Sequence, residues 1–281
     1  MILVVGATGN VGREVVARLV ARGEKVRAFT RDPAKARFED PVQVWPGDLG
    51  DPNSIRVALA GVERVFMLSA GPDALAHDLA VAEEVGRAGI PRVVRVSSVA
   101  SLPPVDTSYG RAHADADRAF AASGTALTLL RPAGFMTNVF QWRESIRHKD
   151  TVFGTSGSVP RALIAPADVA EVAVTALLGE GHEGLGYTLT GPEALTAPET
   201  VARIAAALGR PLAYQEVPVS AARQAMVGVG LPADYVEGLL AVQADTDPVR
   251  GGEVLPTVEQ VTGSPAVRFD DWLGAHLDAF N

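Results

Sequence analysis

Cysteine is absent from the sequence. That excludes a disulfide framework, a thiolate metal site and a cysteine nucleophile. Long apolar runs are missing as well: none approaches the ~20 residues that span a bilayer, so no membrane is expected as a partner. No basic leader precedes the first apolar stretch, and no signal peptide is expected. Positive charge is in deficit. Lys and Arg number 25 against 33 Asp and Glu, for a formal net charge of −8, and the isoelectric point is near 5.2. Such a balance argues against nucleic acid or an anionic surface as the main partner. His77, His148, His182 and His276 show no metal-ligand spacing and read as surface residues, so no metal is expected. The expected compartment is the cytoplasm.

What the chain does carry is core material. Hydrophobic residues make up 47% of 281 positions, enough for one large α/β domain or one domain plus a small cap. The opening stretch, MILVVGATGNVG, organises the rest. Ile2 to Val5 form a short buried strand, the glycines Gly6, Gly9 and Gly12 follow at once, and an amphipathic helix runs from near Asn10 to about Arg22. Strand, glycine turn and helix place backbone N–H groups and a helix N-terminus around a pyrophosphate. Gly6 permits the tight turn, Gly9 the approach of phosphates, and Gly12 close helix–strand packing. Thr8, Asn10 and Val11 complete the cradle. The plainer reading uses the three glycines for turning and packing alone.

Residues 25–30 read as a second strand ending in Thr30-Arg31-Asp32-Pro33. An acidic side chain at this place suits the 2′-hydroxyl of NAD, whereas arginine suits the 2′-phosphate of NADP. Arg31 therefore predicts NADP, with NADPH preferred over NADH, and can take a phosphate in bidentate fashion. Arg13 offers a second positive contact. The competing reading leaves Arg31 paired with Asp32 in a solvated loop. Residues 42–45 form a third strand, followed by Gly47-Asp48-Leu49 near the adenine. Asp48 either accepts from the base amine or caps the helix that starts near Pro52. A fourth strand, 64–68, leads through Leu68 and Ser69 into a turn cluster passing over phosphates and ribose. Helix 73–88, a fifth strand at 92–96, and Ser97-Ser98 at its C-terminal end come next. A sixth strand at 126–130 is followed by Pro132, Phe135, Met136 and Asn138 beside the nicotinamide, with Phe135 and Met136 as an apolar wall or as core.

Five strand–helix repeats imply an α/β fold: a Rossmann-type doubly wound parallel sheet with a smaller C-terminal α/β cap. The division expected is 1–150 for the NADP-binding domain and 151–281 for a substrate-binding cap partly interwoven with it. From Thr151 the pattern is irregular, then alternates helices (167–178, 198–208, 220–227, 232–241, 257–261, 269–280) with strands (187–190, 212–217). Segment 244–252, rich in glycine and proline, suits a mobile piece near the cleft. Trp142 reads as channel lining or core.

Several blocks together resemble the NmrA-like atypical short-chain dehydrogenase/reductase family, on the branch of the type 2 NAD(P)H:quinone oxidoreductases and triphenylmethane reductases. They are GATGNVG (6–12), VRAFTRDP (26–33), GDL (47–49), SSV (97–99), SGTALTLLRP (123–132), FMTN (135–138), PADVAEV (166–172) and VTGSPAVRFDDWL (261–273). They run nearly end to end. The resemblance implies NADP on a Rossmann domain and a substrate cleft under the smaller C-terminal part.

It also frames the catalytic question. Typical short-chain dehydrogenases pair a serine with tyrosine and lysine spaced YxxxK, the tyrosine exchanging the carbonyl proton. Here the segment reads Tyr109-Gly110-Arg111-Ala112-His113, with histidine where lysine belongs. The quinone reductase branch carries a histidine matching His113, four residues before an acid matching Asp117. Tyr109 and His113 share a helix face if the helix starts early enough, and Gly110 weakens that start. His113, Tyr109 and Ser98 are the catalytic candidates, with His113 and Ser97 also facing the cofactor. The structural readings are a His113–Asp117 pair, Tyr109 half buried against Pro103 and Pro104, and Ser98 as a turn cap. Two mechanisms follow. In one, Tyr109 protonates a carbonyl. In the other, favoured, hydride goes to a quinone or other conjugated acceptor that needs no dedicated donor. The expected function is an NADPH-dependent reductase of a quinone-like or aromatic ketone small molecule, acting as a monomer or homodimer. A non-catalytic NADP sensor and an isomerase or dehydratase are the alternatives.

Overall fold

β1 (Ile2–Val5) is buried along its whole length, as a strand covered on both faces must be. In the computed structural model, which describes residues 1–38 and 40–281, it lies inside a seven-stranded parallel sheet. The other strands are β2 (Val26–Thr30), β3 (Gln43–Pro46), β4 (Arg64–Met67), β5 (Arg92–Val96), β6 (Ala126–Pro132) and β8 (Gly186–Leu189), in the order β3-β2-β1-β4-β5-β6-β8. The order reverses between β1 and β4, so a crevice opens beyond their C-terminal ends, where ligands bind in such sheets.

Helices close both faces. α1 (Asn10–Ala21), α6 (Pro166–Leu178) and α10 (Thr257–Thr262) cover one, and α2 (Pro52–Ala58), α3 (Ala74–Ala88) and α4 (Ser108–Ala122) the other. Gly89 ends α3 in the left-handed conformation at φ 63°, a backbone state that glycine adopts without steric cost. β8 and α6 belong to this layer although they follow residue 150, so the two parts of the chain interlock.

A third core sits in the C-terminal part, around Ile146, Val152, Ile204, Phe269, Trp272 and Phe280. Met136 is buried there at 1% exposure, which settles it as core. The elements around this core are α5 (Arg143–Lys149), β7 (Thr151–Gly154), α7 (Ala197–Leu208), β9 (Ala213–Glu216), α8 (Val219–Gly228), α9 (Ala233–Ala244) and α11 (Phe269–Gly274).

Three expectations change. The irregular stretch at Thr151 contains β7, paired in parallel with β9 some sixty residues later. A four-residue strand with a distant partner leaves little local pattern. The helix expected over 269–280 breaks into α11 and a 3₁₀ turn, Leu277–Phe280. Segment 244–252 is tied down: Arg161 Nη2 donates to the carbonyls of Val242, Gln243 and Asp245 at 2.8–2.9 Å, and Arg250 pairs with Asp245 and donates to Pro104 at 3.0 Å. Among the described residues, no helix is long and apolar enough to cross a membrane, and no cluster of His, Cys, Asp or Glu could hold a metal ion.

Candidate functional site

The turn after β1 is built for close approach. Gly6 stands at φ 76°, and a Cβ there would lie 2.6 Å from the Leu68 carbonyl oxygen. Gly9 N–H donates to Gly6 O at 3.0 Å. A Cβ on Gly12 would overlap the Gly6 carbonyl, so only glycine lets α1 seat against the turn. α1 begins with Gly9 as its cap, with no side-chain cap bond and no acid in its first turn. Its first N–H groups are therefore left for an anion, at the positive end of the helix dipole. Arg13 is exposed, and its Nε donates to the Thr8 carbonyl at 3.0 Å, bracing the turn.

A cleft of about 790 Å³ opens in front. Gly6, Thr8, Gly9, Asn10 and Val11 form its floor, Arg31, Asp48 and Leu49 one end, and Leu68, Ser69 and Phe135 the far side. Five segments distant in sequence, each following a strand of the sheet, thus converge on one cleft. The size, the open helix N-terminus and the fork of Arg31 at the ribose end fit a phosphorylated dinucleotide. Gly12 acts from behind the turn. Ser97, Pro132 and His113 are not among the residues lining the cleft: Pro132 is the buried last residue of β6, and the Ser97 hydroxyl donates to Asp117 at 2.9 Å.

Other assignments move. Asp48 does not cap α2. Asp51 does, accepting from Asn53 N–H at 3.0 Å, while Asp48 accepts from Gly50 N–H at 2.9 Å and faces the cleft. His77, read as surface, lines the cleft from α3, as does Thr137 beyond Phe135. His77 lies in no motif, and Thr137, though inside the FMTN block, is not singled out from it. His182 is half-buried, with Nδ1 2.8 Å from the Tyr187 hydroxyl. His148 and His276 are exposed.

α4 starts early. Thr107 caps it by accepting from Gly110 N–H at 2.9 Å, so Tyr109 and His113 do share a face, with ring centroids 4.7 Å apart. Gly110 is no weakness there: a Cβ would overlap the Ala100 carbonyl. The Tyr109 ring packs between His113 and Tyr235 of α9, 6.4 Å away. A Cβ on Gly238 would come within 2.9 Å of the Tyr109 nitrogen, so α9 lies directly on the start of α4. Burial, and then Tyr235, push the Tyr109 phenol up to about 12, against a hydrogen bond from Ser98 and the charge of Arg95. Burial, and then Arg95, bring His113 down to about 3. The imidazole is neutral at ordinary pH, and its Nδ1 is buried without a hydrogen-bond partner. Asp117 does not serve it. That carboxylate binds Arg95 and accepts from Ser97. Ser98 caps its turn as well, accepting from Ala100 N–H at 3.2 Å.

A second cavity, of about 520 Å³, adjoins the cleft, and Asn138 lines both. Trp142, Phe153, Leu163, Tyr214, Met226 and Leu240 give it aromatic and aliphatic walls, and Arg161 is the one charged side chain among the described residues lining it. Ser98, Tyr109 and His113 line neither space, and α9 lies against Tyr109. The arrangement offers a dinucleotide cradle next to a weakly polar chamber, which is a geometry for transfer between two bound molecules.

Comparison with known proteins agrees with this geometry. Residues 6–180 match the NAD(P)H-binding family. A (4-alkanoyl-5-oxo-2,5-dihydrofuran-3-yl)methyl phosphate reductase of Streptomyces griseus is 39% identical over 100% of this chain and 99% of its own length. An NAD(P)H azoreductase of Xenophilus azovorans is 36% identical over 100% and 99%. Among solved structures, the NADPH-dependent quinone oxidoreductase QOR2 of Escherichia coli, complexed with NADPH, superposes with a TM-score of 0.84 at 25% identity, over 99% of this chain and 100% of that one. The chain thus belongs to the NAD(P)H-binding family and is an NAD(P)H-dependent oxidoreductase of Rossmann-type fold.

Proposed function

We propose that this enzyme reduces uncharged, conjugated aromatic acceptors, quinones foremost and azo compounds or aryl ketones next, with NADPH preferred over NADH. The observation that carries the proposal is the weakly polar cavity of about 520 Å³ meeting the dinucleotide cleft at Asn138. When bound, the reduced nicotinamide supplies the hydride. The chain supplies the rest: backbone amides after β1 hold the pyrophosphate, Arg31 takes the 2′-phosphate, and Phe135 and Asn138 border the transfer point. A conjugated acceptor spreads the arriving charge over its own π-system, which suits a site whose lining includes neither Tyr109 nor His113. In this reading residues 1–150 form the cofactor half and 151–281 the substrate half of a cytoplasmic monomer or homodimer. Names of relatives support the reaction class: one is a quinone oxidoreductase and one an azoreductase.

The test follows NADPH absorbance with menadione, a neutral azo dye and an aryl ketone. Turnover with menadione is expected. Replacing Arg31 with Ala should weaken NADPH by about ten- to a hundredfold and leave NADH nearly unchanged. Tight 1:1 NADPH binding with no oxidation by any acceptor would favour a sensor and defeat the reading.

A further inference from the structure

Beneath the cleft lies a chain of buried charge that crosses four elements. Arg95 of β5 is 1% exposed. Its Nη2 pairs with Asp78 of α3 and its Nη1 with Asp117 of α4. Asp117 also accepts from Ser97 at 2.9 Å and lies 3.8 Å from Arg131 of β6. At the other end, Asp78 Oδ1 accepts from the Ser69 hydroxyl at 2.7 Å. Ser69 is the one member of this chain that lines the dinucleotide cleft.

Such a network is a poor way to add stability. Desolvating two carboxylates and a guanidinium offsets most of their attraction. It is also incompletely satisfied, since Arg95 Nε and Arg131 Nε are buried without partners. What it does enforce is direction. A carboxylate bound by guanidinium only accepts, so the neighbouring hydroxyl must give it its single proton. The Ser69 oxygen is then left with lone pairs and no proton for the cleft.

We infer that Arg95 is a positioning residue for the cofactor site: through Asp78 it fixes Ser69 as a pure hydrogen-bond acceptor, matched to a donor group of the dinucleotide such as a ribose hydroxyl or a carboxamide N–H. Arg95 itself touches no ligand. The inference rests on the cleft being the dinucleotide site, and its test separates the two.

The test is a double-mutant cycle on the Kd for NADP⁺, measured by calorimetry at one pH and salt, with melting of the ligand-free proteins as the folding check. Wild type should bind NADP⁺; no binding would sink the cofactor site itself. Ser69→Ala should raise the Kd about five- to tenfold with unchanged melting, the worth of one hydrogen bond. Arg95→Lys keeps the charge but cannot bridge both carboxylates in the same geometry, and should raise the Kd by a similar factor. The double variant should bind no worse than the weaker single variant, because both act through one contact. Multiplying fold-changes, or an Arg95→Lys protein that melts lower but binds as wild type, would make the network merely structural and overturn the inference. So would a Ser69→Ala protein within twofold of wild type. If Arg95→Lys does not fold, Asp78→Asn takes its place in the same cycle with the same two readings.

Discussion

The cofactor cleft and the substrate cavity are neighbours made of different material. The anion-binding end of the cleft is chiefly backbone: a glycine turn, an uncapped helix N-terminus and positions where a single added methyl would collide with a carbonyl. The cavity is chiefly side chain, with aromatic and aliphatic walls drawn from α8, α9, β7, β9 and the turn after β6. Backbone geometry tolerates almost no change, whereas a side-chain wall can be reshaped one residue at a time. The first half is therefore suited to one invariant ligand and the second to varied ones. The α4 cluster of Tyr109 and His113 belongs to neither.

Substitutions can break this contrast. The largest effect is expected at Gly12. Replacing it with Val forces α1 away from the turn and should weaken NADP⁺ binding by about a hundredfold or more, roughly 2.7 kcal/mol, as read by calorimetry. A smaller loss would mean that side chains, not backbone, hold the dinucleotide.

The next effect concerns the α4 cluster. His113 is held down to about 3 in the folded chain, against about 6.5 unfolded. The unfolded chain therefore takes the proton first as pH falls. Stability from this group is fully present above about pH 6.5 and is lost on acidification toward pH 3, at about 1.4 kcal/mol per unit. Replacing His113 with Phe, which still packs on Tyr109, should shrink the stability difference between pH 7 and pH 5 by at most about 2 kcal/mol, measured by urea unfolding. An unchanged difference would show that His113 is hydrated in solution.

The smallest effect sharpens the cavity half. Ala222→Phe on α8 fills the chamber and should raise KM for menadione about tenfold, with the Kd for NADP⁺ within about twofold. Equal damage to both constants would mean the two spaces are not separable.

Much of this was readable in advance. Gly6, Gly9 and Gly12 announce the turn because the chemistry there is local, within seven residues. Arg31 and Leu49 follow from strand order, and the Gly89 stop from backbone geometry. The i,i+4 pairing of Tyr109 and His113 also held. What was not readable depends on distant partners. β7 exists because β9 pairs with it. Asp117 turns to Arg95, not His113, because β5 delivers a guanidinium to it. His77 lines the cleft from the first turn of α3, a place set by where that helix packs. Asp48 and Asp51 are both plausible caps, and only the placement of α2 chooses between them.

Local pattern was thus enough to mark the strand–helix repeats that imply the doubly wound sheet and the glycine turn after β1, since each of those signals lies within a few consecutive residues. The seat of α9 on Tyr109, the walls of the cavity and the buried Asp78–Arg95–Asp117 bridge came only with packing. Each joins segments tens of residues or more apart, and the energy that decides such a meeting belongs to the pair, so neither segment carries a mark of it alone.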